Sequence, residues 1–112
     1  AVRAAEHFDF GGPVAERKLE LVDELAKLAS DAGCSLTHLA HAFVLAHPAV
    51  TTAIIGPRTP EQLEDVLAGA AVRLDDDVLA RIDALVPPGT DVNPRDAGYT
   101  PPDLDAAVLR RS

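Results

Sequence analysis

Tryptophan and methionine are absent from this chain of 112 residues, which holds one tyrosine, three phenylalanines and one cysteine. So few rings leave Ala, Leu and Val to build the core of a chain that is 47% hydrophobic. Cys34 has no second cysteine to pair with. That excludes an internal disulfide and agrees with a reducing compartment, so a cytoplasmic location is expected. Bases are scarce, 10 Lys and Arg against 18 Asp and Glu, for a formal net charge of -8. Such a balance argues against broad contact with nucleic acid or an anionic membrane. No apolar run is long enough to span a bilayer, and no signal peptide is recognisable. The Walker pattern GxxxxGK and the dinucleotide fingerprint GxGxxG are both missing. The length allows one domain at most, or part of one, and the first residue is Ala1 rather than Met. A processed product or a piece of a longer protein is therefore expected.

What is present centres on Val50 to Leu67, VTTAIIGPRTPEQLEDVL. Val50, Thr51, Thr52, Ala53, Ile54 and Ile55 are rich in β-branched residues and read as a strand covered on both faces. Gly56 lets the backbone turn or approach a ligand closely, and Pro57 stiffens the loop. Thr59 is the expected N-cap of the next helix, with Pro60 at its first position and Gln62 three residues after the cap. Free amide hydrogens at such a helix start attract anions. Arg58, one residue before the cap, offers a planar fork that suits phosphate. Any strand-to-helix turn shares this outline, and a loop arginine is commonly solvated or paired with a surface acid.

Around that stretch the pattern predicts a lead loop over residues 1–15, a body over 16–86 with the loop 56–62 inside it, and a proline-rich tail over 87–112. In the lead, His7, Phe8 and Phe10 read as a local anchor. A helix is expected from Glu16 to Ala32, burying Leu19, Val22, Leu25, Leu28 or Ala29, and Ala32, and ending at Gly33. Ser35 caps a second helix to about Ala46, with Leu36, Leu39, Ala40, Phe43 and Val44 inward, and Pro48 stops it. His38 and His41, three apart, are able to touch one ligand, but no third ligand follows at zinc spacing, so no metal site is assigned. Cys34, at the turn, reads as inert. A third helix follows Pro60 to about Leu67 or Ala68, and a fourth, capped by Asp75, runs from Asp76 to Val86. Asp75, Asp76 and Asp77 read as a helix start rather than a calcium loop. The tail carries Tyr99 and a short helix from Asp103 to Ser112.

One strand among four helices cannot satisfy its own edges. The isolated chain is thus expected to be mostly helical, with about one β-strand that needs neighbours from another segment or chain. A helix-turn-helix DNA-binding module, spanning Leu25 to Ala46, is a minor alternative. Its second helix shows no exposed Arg or Lys, and the surrounding acids repel phosphates.

The run from Arg17 to Pro102 resembles the carboxy-terminal part of an aldo-keto reductase, above all in LAHP followed by VTTAIIGPRTPEQLEDVL and later LDDDVLARIDALVPPG. The resemblance implies an α/β fold, here a carboxy-terminal fragment of a (β/α)8 barrel, with Val50–Ile55 as the eighth strand and Pro60–Leu67 as the eighth helix. It implies NADP(H) as cofactor and hydride transfer to or from a small carbonyl substrate. It carries Gly56 and Pro57 over as the cofactor loop, Arg58 as the contact to the 2′-phosphate, Thr59 as a donor to the same group, and Gln62 and Asp65 as residues near the adenosine. Where the family often has Asn beside the adenine, this chain has Val66. The family's catalytic Asp, Tyr, Lys and His are not matched, and Tyr99 lies beyond the closing helix, so these residues alone are expected to be inactive. The partner is then the missing amino-terminal barrel segment or a second copy. The alternative is a non-catalytic helical interaction domain descended from such a reductase, pairing through an exposed apolar face.

Overall fold

Four helices make up the regular structure of residues 11–94, the part of the chain that the computed structural model describes. Helix α1 spans Pro13–Asp31, α2 Leu36–Leu45, α3 Pro60–Gly69 and α4 Asp76–Leu85. The expectations for His7, Phe8, Phe10, Tyr99 and the helix Asp103–Ser112 fall outside the described residues.

Helix α1 starts at Pro13, three residues before the expected Glu16. Pro13 occupies the first turn, where its missing N–H costs nothing and its fixed φ suits the helix. Gly12 precedes it at φ 92°, a backbone setting that glycine adopts without strain. The other end follows the expected glycine stop. Gly33 has φ 75°, its N–H donates to Ser30 O at 3.0 Å, and Cys34 N donates to Ala29 O at 3.0 Å. These paired bonds satisfy the last carbonyls of α1 and turn the chain towards α2.

The three later helices begin with side-chain caps. Ser35, Thr59 and Asp75 accept from the amides of His38, Gln62 and Val78, respectively. Past the far end of α3, Arg73 Nη1 donates to the O of the C-cap Ala70 at 2.9 Å and to Val72 O at 3.1 Å.

Helix α1 packs on α2 and on α4, and α2 packs on α3. The core lies where the first two contacts meet: Leu28, Ala29, Leu39, Val78 and Ile82 are buried, with Leu25, Leu36, Phe43, Leu74 and Leu85 half-buried around them. Arg81 Nη2 reaches Asp31 Oδ2 at 2.8 Å and closes the edge between α4 and α1. The hydrogen bond to Asp31 raises the Arg81 pKa above its usual value.

Two further expectations are overturned. The first concerns the inward faces. Leu19 and Val22 are exposed while Ala15 and Leu21 are buried, so α1 presents a face rotated from the expected stripe. In α2, Ala40 and Val44 are exposed and Ala42 is buried. Both helices carry apolar residues on more than one face, and only the positions of the neighbours select which face is covered. The second concerns the strand. Residues 51–57 carry no regular secondary structure, and no strand occurs among the described residues. Ile54 is 100% exposed. A β-strand exists only through hydrogen bonds to a neighbour, and no neighbouring strand is described, so β-branched composition alone does not make one. Residues 11–94 are thus mostly helical, as expected of the isolated chain, but without the one expected strand.

Candidate functional site

Two local hydrogen bonds organise the loop before α3. Gln62 N donates to Thr59 Oγ1 at 3.2 Å, and Gln62 Oε1 accepts from Arg58 N at 2.8 Å. This is a reciprocal cap shifted by one residue, with the glutamine reaching back past the cap to the preceding amide. It consumes two of the amide hydrogens that a bound anion would otherwise use. The amides of Thr59 and Glu61 remain without a partner among the described residues. The Arg58 side chain is exposed and makes no ion pair or hydrogen bond with a described residue. An arginine with a free guanidinium and two open amides within four consecutive residues are donor types that suit an oxyanion. Glu61, in the first turn, favours the helix dipole and competes with an external anion, leaving Arg58 as the positive charge of this loop.

Behind this loop lies a cleft of about 360 Å³. Ile55, Gly56 and Pro57 form one wall, Thr37 and His41 of α2 a second, and Gln62, Asp65 and Val66 of α3 the third. Of the residues singled out from sequence, Gly56, Pro57, Gln62 and Asp65 thus share one cleft, while Arg58 and Thr59 stand beside it rather than in its lining.

Asp65 is already engaged. His38 Nε2 lies 2.8 Å from Asp65 O and 2.9 Å from Asp65 Oδ1. A main-chain oxygen only accepts, so Nε2 carries the proton and shares it between both oxygens. The His38 ring also sits under Gly69, where an added Cβ would come 2.8 Å from His38 Cδ2. Asp65 Oδ1 therefore holds two helices together, and Oδ2 has no partner among the described residues.

His41 does not share a partner with His38. Its Nδ1 lies 2.7 Å from Thr37 O, the carbonyl one turn earlier. Nδ1 is accordingly the protonated nitrogen, and Nε2 is left with a lone pair and no described partner. The lining residues Thr37, His41 and Ile55 were not anticipated at this cleft, His41 being weighed only with His38 as a pair able to touch one ligand. The signal for the first two is their four-residue spacing on α2, which places them on one helix face. Nothing in the chain's local pattern places that face against α3.

No group of three or more His, Cys, Asp and Glu capable of holding a metal occurs among the described residues. None of the described helices is long and apolar enough to cross a membrane.

No solved structure matches this chain. An uncharacterized oxidoreductase, YrpG of Bacillus subtilis (strain 168), is 34% identical over 74 residues, which are 66% of this chain and 22% of that protein. The chain thus spans about a fifth of the length of this relative. The model of the Aldo/keto reductase family, whose fold is a (β/α)8 barrel, matches residues 2–87, a span that contains α1 to α3, the whole cleft and α4. This chain belongs to the aldo/keto reductase family.

Proposed function

We propose that this chain is the NADP(H)-binding, carboxy-terminal portion of an aldo-keto reductase, which in its complete form moves a hydride between NADPH and an aldehyde or ketone. The observation that carries the reading is Arg58, whose guanidinium is free of protein partners among the described residues and which directly precedes, in the chain, the helix start where the amides of Thr59 and Glu61 are open. A ribose 2′-phosphate matches this donor set in charge, and Arg58 pairs with it through a planar fork. The Thr59 hydroxyl accepts from Gln62 N and still has its own hydrogen to donate. Gly56 and Pro57 shape the loop, and Gln62 and Asp65 border the adjoining cleft. The cofactor supplies the hydride, and these residues bind and orient its adenosine end.

The segment is not catalytic alone. Its single tyrosine, Tyr99, falls outside the family-matched residues 2–87. A reacting nicotinamide and carbonyl also need a closed pocket, whereas the cleft here adjoins exposed loop residues. Ile54, Leu67 and Leu63 are exposed beside the loop, an apolar surface suited to further barrel elements or to a second copy of the chain.

Calorimetric titration of the chain with NADPH and NADH tests the reading. The Arg58→Ala variant is expected to bind NADPH about 10- to 100-fold more weakly while NADH changes by less than about twofold. Equal, unchanged affinities for both cofactors would refute it and favour the non-catalytic interaction domain.

A further inference from the structure

We infer that His41 is a specificity-determining residue of the adenosine end, its Nε2 accepting a hydrogen bond from the exocyclic amino group of the base. The inference rests on the proposed NADP(H) reading and adds to it a residue that reads the base. A ribose that presents its 2′-phosphate to Arg58 carries its base one sugar away, and Pro57 and Gln62, close to Arg58 in the chain, line the cleft behind the loop. That cleft offers the base apolar contact from Ile55, Pro57 and Val66.

Its polar groups have fixed hydrogen-bond roles. Gln62 Oε1 is held by Arg58 N, which leaves the amide NH2 of the same side chain as a donor. His41 Nδ1 gives its hydrogen to Thr37 O at 2.7 Å, which leaves Nε2 as an acceptor. Asp65 Oδ1 is engaged with His38. An acceptor and a donor in the lining of one cleft suit the edge of adenine, which has an amino donor next to a ring-nitrogen acceptor. They mismatch hypoxanthine, where a carbonyl oxygen replaces the amino group and faces the His41 lone pair. Mismatching a hydrogen bond in this way costs more than losing apolar contact of the same size. Asp65 Oδ2 is the competing acceptor, but it belongs to a side chain that is 56% exposed, where water weakens discrimination, whereas the His41 ring is half-buried.

The test compares adenosine 2′-phosphate with inosine 2′-phosphate, titrated into the isotope-labelled chain at about pH 8 with amide shifts as the readout. The wild-type chain is expected to prefer the adenosine nucleotide about tenfold, and His41→Phe and His41→Leu to reduce that preference below about twofold. Two variants are used because the phenylalanine keeps the ring's volume and the leucine keeps helix propensity, and unchanged amide spectra outside the cleft verify the fold. Equal binding of both nucleotides to the wild type would overturn this inference and leave the phosphate site standing. A preference that survives both His41 variants but is lost in Asp65→Asn would overturn it in favour of the carboxylate. No shift at Arg58–Gln62 with either nucleotide up to about 10 mM would overturn both readings together.

Discussion

His38 and Asp65, 27 positions apart, are joined by one imidazole hydrogen shared between a main-chain oxygen at 2.8 Å and a carboxylate oxygen at 2.9 Å. This contact fastens the middle of α3, and with it the capped loop that carries Arg58, to α2. The His38 side chain is only 19% exposed, so its loss is poorly compensated by water. His38→Ala is expected to lower unfolding stability by about 1–3 kcal/mol, read as a lower urea midpoint with unchanged slope.

Gly69 is a second half of the same contact. Alanine in a helix ordinarily gains about 1 kcal/mol over glycine. Here its Cβ would stand 2.8 Å from a ring that hydrogen bonds hold in place. Gly69→Ala is therefore expected to lose about 1–3 kcal/mol rather than gain stability. The double variant with His38→Ala is expected to be less destabilised than the sum of the single variants, as thermal melts of the four proteins would show.

Thr59 joins the cap to the loop through its bond to Gln62 N. Thr59→Ala is expected to cost about 1 kcal/mol and to speed amide exchange at Gln62, while Thr59→Ser, which keeps the oxygen, changes stability by a few tenths. Hydrogen exchange monitored residue by residue separates the two.

Ile54 has nothing to lose in this chain, because its whole surface faces solvent. Ile54→Asp is expected to change the stability of the 112-residue chain by less than about 0.5 kcal/mol, measured by chemical denaturation. A larger loss would show that the 50–57 segment is covered in solution.

The helix starts and stops were legible because capping is settled within four residues. A Ser, Thr or Asp three residues before an amide reads the same in any tertiary setting, and all three expected caps form. Gly33 likewise announces its turn. The α1 start was misplaced because Gly11, Gly12 and Pro13 serve a loop or a helix entry equally well, and only the continuing chain distinguishes them. The loop's outline was legible too, but its detail was not. The glycine, arginine and capped helix stand in order along the chain, whereas the use of Gln62 to cover Arg58 N was not anticipated.

The amino-acid order by itself settled the caps that open the three later helices, the glycine that stops α1, the family to which the chain belongs, and the placing of one arginine just ahead of a capped helix. These are properties of short stretches, governed by backbone geometry and nearby side chains. Tertiary structure alone decided which faces of α1 and α2 are buried, that Val50–Ile55 forms no strand among the described residues, and that His41 shares a cleft with Val66. Each of these depends on atoms distant along the chain. A helix with two apolar faces is indifferent until a neighbour covers one, and a would-be strand has no hydrogen bonds until another strand lies beside it.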